Sequence, residues 1–383
     1  MPYNKIILMT PGPTLVDYEI LLTMARPTVN HVSPEFEELH KTVISKLKRV
    51  FETEGDVILI PGSGTGAMDL ALRSVVRGKS RVLVLKAGYF ADYLAKGARL
   101  LGADVVVEEA PLGMGFSPEA LEDALKKHGD VDVIALQHVD TSTSVANSIG
   151  DLARVAREHG SRIIVDCVAS AGGMRSNLDG WGIDVCFTGS QKALGTPPGL
   201  GIVAFSSEFS RELEAQNRSL YFDLEMLRKE MESTRNYYIT PAVNLVYGLD
   251  KALDLILEEG LDKRFERHRI MAELVRSALM EMGVELVAKE GYRADTVTAA
   301  YLPRGVEWSN LYKEMRKRGI GIAGGLGELK GKIFRIGHMG QVGYNELIST
   351  IAALERSFNT LGYEVPLGKA LTKMQNILAS KNE

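Results

Sequence analysis

Cysteine is almost missing from this sequence: Cys167 and Cys186 are the only two in 383 residues, and both sit inside apolar, strand-like runs. Two isolated thiols without CxxC spacing exclude a disulfide scaffold and point to reduced cysteines in a cytoplasmic protein. The seven histidines include no HExxH and no other paired ligand spacing, so no metal site is indicated. No apolar run reaches the roughly 18 residues that a membrane-spanning helix needs. The formal net charge is −4, without the basic surplus expected of a nucleic-acid binder. The opening MPYNKIILMTPGP has one lysine and a very short apolar run before proline, unlike a secretory signal.

What remains is the composition of an ordinary globular protein, 45% hydrophobic and 25% charged. The length exceeds one ordinary core and predicts two domains. Between residues 57 and 205 the apolar runs VILI, VLVL, VVV, VIAL, IIV, DVCF and GIVAF recur, with helical patterns at 66–76, 90–101, 118–127 and 150–159. This α/β alternation predicts buried strands in a mostly parallel sheet with helices on both faces, three layers in all. A helix is also expected over Pro34 to Phe51, where apolar residues recur at helical spacing. After about residue 240 long helices (243–258, 262–282) and short strands (297–302, 333–336) predict a smaller α/β domain. Helices are also expected near 308–318 and 344–359, and an amphipathic one over 364–383 that frays at its polar KNE end. The expected divisions are an arm over 1–20, a large domain over 21–255 and a small domain over 256–383.

Chemistry is concentrated at the ends of the strand-like runs. DVCF leads into TGSQKALGTPPGLG (188–201), which carries Lys192 in a loop of turn formers. Backbone geometry rather than a helix face holds such a lysine, although a surface lysine on a turn is the plainer reading. VILI leads through Pro61 into GSGTGAM, a glycine-rich turn that opens a helix. Its N–H groups suit an anion, a tight structural connection being the alternative. A dinucleotide would need an acid at the end of the next strand, where Lys86, Ala87 and Gly88 stand instead, so a lone phosphate fits better. Asp166 ends the run RIIVD and Ser170 follows it. A carboxylate there sits where open α/β sheets bind ligands, or else caps the next turn. TSTS (141–144) sets hydroxyls at another strand end, and Arg335 lies in a short strand between glycines, either as an exposed structural residue or to grip a carboxylate.

A lysine for an aldehyde, an acid for a pyridinium nitrogen and a glycine turn for a phosphate make a binding set for pyridoxal 5′-phosphate. The segments SGTGAM, VDCVAS, GSQKALGTPPGLG and GKIFRIGHMG resemble the class V, fold-type I aminotransferases, and most of all the alanine–glyoxylate and serine–pyruvate aminotransferase family. The resemblance runs from TPGPT to about residue 358, with the motifs in family order.

The resemblance implies that Lys192 is the Schiff-base lysine, that Gln191 lies beside the phosphate and that Asp166 keeps the pyridine nitrogen protonated. It assigns Ser63, Gly64 and Thr65 to the phosphate cradle and Ser170 to a hydroxyl ligand of the phosphate. Thr141 falls near the ring oxygen. Phe90 stands where the family often has a stacking tryptophan, keeping the π-face and dropping the indole N–H. Tyr237 and Thr240 match a pair that reaches the phosphate of the neighbouring subunit, implying a homodimer with shared sites. Arg335 matches the clamp for the substrate carboxylate, and Gly12 lies in the arm near the substrate. The expected activity is transfer of an amino group from serine or alanine to pyruvate or glyoxylate. Rival readings are a desulfurase or lyase of the same fold, an NAD-dependent dehydrogenase, and a non-catalytic subunit.

Overall fold

The computed structural model describes residues 6–213 and 219–381. The first five residues of the expected arm and the last two of the expected fraying tail lie outside the described residues. A seven-stranded sheet organises the larger part. Its order from one edge is Val57–Pro61, Leu200–Phe205, Val185–Gly189, Arg162–Asp166, Val133–Gln137, Arg81–Lys86 and Asp104–Glu109. Every neighbouring pair is parallel except the two made by Leu200–Phe205, which runs antiparallel to both its neighbours.

The strands are short β-branched runs buried on two faces, as parallel strands must be when helices cover both sides. Along Arg162–Asp166, Ile163 and Val165 join one apolar cluster while Ile164 joins another on the opposite face. Asp104–Glu109 departs from the expected burial. It is one of the two edge strands, pairs on one side only, and its residues are half-buried or exposed. The other edge strand, Val57–Pro61, is buried because the helices Pro34–Phe51 and Leu224–Glu232 pack against it, and the sequence run VVV does not show which edge is covered.

Helices begin where local chemistry tells them to. Ser33 caps Pro34–Phe51 by accepting the Phe36 N–H at 3.4 Å, proline occupies the first turn, and Glu35 and Glu37 open the helix that Lys48 and Arg49 close. Such a cap is worth about 1 kcal/mol, and the charges match the helix dipole. Among the described residues no helix is long and apolar enough to cross a membrane.

A second apolar core gathers Ile270, Leu279, Phe334, Leu347 and Phe358 around the antiparallel strands Val297–Tyr301, Ile333–Gly337 and Ala323–Gly324. Core membership changes within two consecutive long helices: in Val243–Glu259, Leu249, Leu253 and Ile256 join the large sheet's core, and in Leu261–Glu281 apolar residues from Ile270 onward join the second. The amino-terminal arm is tied to the second core. Ile7–Leu8 pairs in parallel with Ile320–Gly321, and Met9 is fully buried there. From that anchor the chain crosses to the carboxyl ends of the large sheet's parallel strands, where the cavity lies.

Candidate active site

The strand Val185–Gly189 delivers Lys192 into a loop that is closed on itself. Ser190 O accepts the Thr196 N–H at 3.1 Å and the Thr196 hydroxyl at 2.9 Å, while the Ser190 hydroxyl donates to Pro197 O at 2.7 Å. The arm grips the same loop: Thr14 donates its N–H to Gln191 O at 3.1 Å and its hydroxyl to Lys192 O at 2.9 Å. The lysine amine donates to the Pro11 carbonyl. Gly12, at φ +125°, lies against the lysine stem, and a Cβ there would stand 2.5 Å from Lys192 Cδ and Cε. Burial, and then the Arg335 guanidinium, push the Lys192 amine down to about 8, against the opposing pull of Asp166 and Asp140.

Asp166 ends its strand level with Gln137 and Phe187 on the flanking strands. Its Oδ1 accepts the Val168 N–H at 2.8 Å. Burial is the largest influence on this carboxyl and raises it to about 7, with Cys167 and Asp140 adding and Lys192 opposing. A carboxylate removed from water needs a cation or several donors, and among the described residues this one has the Val168 N–H and the charge of Lys192 but no salt bridge.

Across from these groups Ser63 caps the helix Gly64–Val75, its Oγ accepting the Gly66 N–H at 3.2 Å. The first N–H groups of a helix have no partner within it, and the dipole makes that end positive. The approach is close: a Cβ on Gly64 would meet Val168 Cγ2 at 3.1 Å. Gln191 Oε1 is buried without a partner at the same end of the cavity.

These elements enclose a cavity of about 310 Å³. Gly12, Ser63, Gly64, Thr65, Phe90, Thr141, Asp166, Gln191 and Lys192, all expected at a site, line it together. Arg335 stands just behind the wall, 6% exposed, donating from Nε to Gly324 O at 2.8 Å and from Nη1 to Thr141 O at 3.0 Å. The exposed structural arginine that the sequence also allowed is therefore corrected: it is buried beside the cavity.

Ser170, expected as a phosphate ligand, does not line the cavity. The turn after Asp166 folds back, with Ser170 N–H donating to Cys167 O at 3.1 Å, and the serine hydroxyl is fully buried without a partner. Tyr237 and Thr240 are also outside this chain's cavity. They are exposed and hydrogen-bonded to each other at 2.9 Å. Sequence reasoning missed Val168, Tyr93 and Met68 in the wall. It also missed Arg264, the largest fully buried side chain, which donates to Gly172 O at 2.6 Å and Ala193 O at 2.8 Å and pairs with Glu259 at 2.8 Å. No local pattern marks an arginine on a helix as the tie between two distant loops.

Residues 18–329 match the aminotransferase class-V family. An uncharacterised aminotransferase of Methanocaldococcus jannaschii is 39% identical over 364 residues, covering 94% of each chain. The serine–glyoxylate aminotransferase of Methylorubrum extorquens is 33% identical over 384 residues, covering 97% of this chain and 95% of that one. Among solved structures, the ureidoglycine–glyoxylate aminotransferase of Bacillus subtilis superposes with a TM-score of 0.93 at 30% identity, over 98% of both chains. With the cavity built as described and the likeness running over nearly the whole chain, this protein belongs to the class-V aminotransferases.

Proposed function

We propose that this aminotransferase moves the amino group of a small uncharged amino acid, serine or alanine, to pyruvate or glyoxylate, working with pyridoxal 5′-phosphate in a homodimer. The observation that carries the reading is one cavity holding a buried amine, a buried carboxyl and a helix N-terminus, at Lys192, Asp166 and Ser63–Thr65. The residues fit the cofactor. The helix N-terminus suits its phosphate, the Gln191 side chain lies in the same cavity with an NH₂ group able to donate to it, and Asp166, without a salt bridge among the described residues, suits a pyridinium. When bound, pyridoxal phosphate supplies an aldehyde for Lys192 and a sink for the electron pair left when the amino acid's Cα–H bond breaks.

The chain's own groups do the rest. Ser63, Gly64 and Thr65 hold the phosphate, and Phe90 and Val168 wall the ring's place. Asp166 holds a proton at the pyridine nitrogen. Arg335 turns toward the substrate carboxylate and so orients the Cα–H bond. Lys192 Nζ, pushed down to about 8, is unprotonated in a useful fraction near neutral pH and takes the Cα proton. Among the described residues the cavity lining offers Lys192 and no second lysine or arginine for a side-chain carboxylate, which favours small uncharged donors.

Desulfurase chemistry needs a cysteine that reaches the substrate, whereas Cys167 and Cys186 are buried and outside the cavity lining. For a shared site, Tyr237 is half-exposed beyond its own cavity, and the helix Tyr18–Met24 exposes Tyr18, Leu21 and Leu22. A panel of amino donors against pyruvate and glyoxylate, followed at the cofactor's absorption band, tests the reading. Borohydride should fix the cofactor on Lys192, and fixation on another lysine would overturn the assignment. Arg335→Ala should chiefly raise KM for amino and keto acids. Unchanged half-reactions would remove it from the carboxylate role.

A further inference from the structure

Asp140 ends the short strand Val139–Asp140, is fully buried, and has no part in the chemistry assigned above. Its Oδ1 accepts the N–H groups of Ser142 at 2.8 Å and Thr143 at 3.1 Å, and the Ser142 hydroxyl at 2.5 Å. Its Oδ2 reaches across to another element and accepts the N–H of Phe90 at 3.1 Å. The Ser142 hydroxyl in turn accepts the N–H of Tyr89 at 3.0 Å, so two consecutive amides of the aromatic turn are held from one carboxylate. Gly88 leaves the space this needs, since any Cβ there would overlap the Asp140 carboxylate. On the other side stands Thr141, which lines the cavity and whose carbonyl accepts Nη1 of Arg335 at 3.0 Å.

We propose that Asp140 is a positioning residue for transamination: its carboxylate locks the turn that brings Phe90 into the cavity to the turn from which Arg335 is hung, and it faces Lys192 and Arg335 with negative charge. The proposal rests on the reading of the cavity given above. The charge balance around Lys192 is then two anions, Asp166 and Asp140, against the Lys192 ammonium and the Arg335 guanidinium. Removing one anion leaves the ammonium less favoured, so Lys192 loses its proton at lower pH. Geometry adds a second effect. In Asp140→Asn the amide can keep its oxygen toward Ser142 and Thr143, which sets its NH₂ group against the Phe90 N–H. Donor then meets donor, the link across to the aromatic turn is lost, and the substrate grip loosens.

The two effects are read separately. In cofactor-free protein, competitive acetylation of Lys192 across pH, followed by peptide mass spectrometry, should give a lower midpoint for Asp140→Asn than for the parent. In cofactor-loaded protein, the same variant should raise KM for the amino donor about tenfold, the scale of one lost hydrogen bond to a charged group, with the circular dichroism of the cofactor band altered. Asp140→Glu keeps the charge but crowds Gly88, so its midpoint should return toward the parent's while KM stays raised. If Asp140→Asn does not fold, Ser142→Ala serves instead. It keeps the carboxylate, drops the bond to Tyr89, and should raise KM with the midpoint unmoved. A lower melting temperature with midpoint, KM and dichroism all unchanged would make Asp140 merely structural and overturn the proposal. Failure of the parent protein to bind cofactor would instead strike the functional reading.

Discussion

Replacing Gly12 by alanine isolates the contact between arm and lysine. At φ +125° an L-residue is strained, and residues held in such sparsely populated regions cost on the order of 1–3 kcal/mol. The new methyl would also lie 2.5 Å from Lys192 Cδ and Cε and 2.7 Å from Nζ, so either the lysine or the arm must move. The arm is held by the bonds of Thr14 to Gln191 and Lys192, and by the Gly337 N–H donating to Met9 O at 2.7 Å. The lysine stem is the softer partner and should yield. A displacement of about 1 Å in a reacting group can cost roughly 10²-fold in rate. Gly78→Ala is the matched control, because Gly78 also has positive φ, +56°, yet nothing lies within 4 Å of its Cβ position. Single-turnover measurement of the half-reaction with alanine or serine should show Gly12→Ala slowed about a hundredfold and Gly78→Ala unaffected, both being modestly destabilised in urea. Equal half-reaction rates in the two variants would refute the idea that the arm sets the lysine's position.

Three further outcomes are expected. Asp166 has its carboxyl raised by burial to about 7 from an ordinary 3.8. The folded cofactor-free protein therefore binds more protons than the unfolded chain between those values, and stability is lost as pH rises through that window. Asp166→Asn should thus stabilise the cofactor-free protein at pH 8 but not near pH 4 in urea unfolding, while slowing proton abstraction in the loaded enzyme. Arg264→Leu should cost about 2–4 kcal/mol in a urea titration, because it leaves the buried carbonyls of Gly172 and Ala193 without their donor, while Glu259 keeps Arg267 at 2.6 Å. Mixing Lys192→Ala with Tyr237→Ala subunits should restore part of the activity if sites are shared, and verified heterodimers without rescue would show that they are not.

Local chemistry made much of this protein legible in its sequence. The helix Pro34–Phe51 follows from a serine cap, a proline and one apolar stripe, and the seven strands of the large sheet from short β-branched runs between turn formers. Lys192, Asp166 and the Ser63–Thr65 turn could be singled out because each ends a strand, and strand ends of an open α/β sheet converge. Only the tertiary structure decided what depends on partners far away in the chain. It made Asp104–Glu109 an edge, reversed Leu200–Phe205 between its neighbours and folded Ser170 away from the cavity. It also set Gly12 on Lys192, Asp140 under Phe90, and Arg264 between the loops after Asp166 and Lys192. Apolar periodicity and turn chemistry act over a few residues and are written in the local sequence. A hydrogen bond across 50 or 92 positions exists only once the chain has closed on itself.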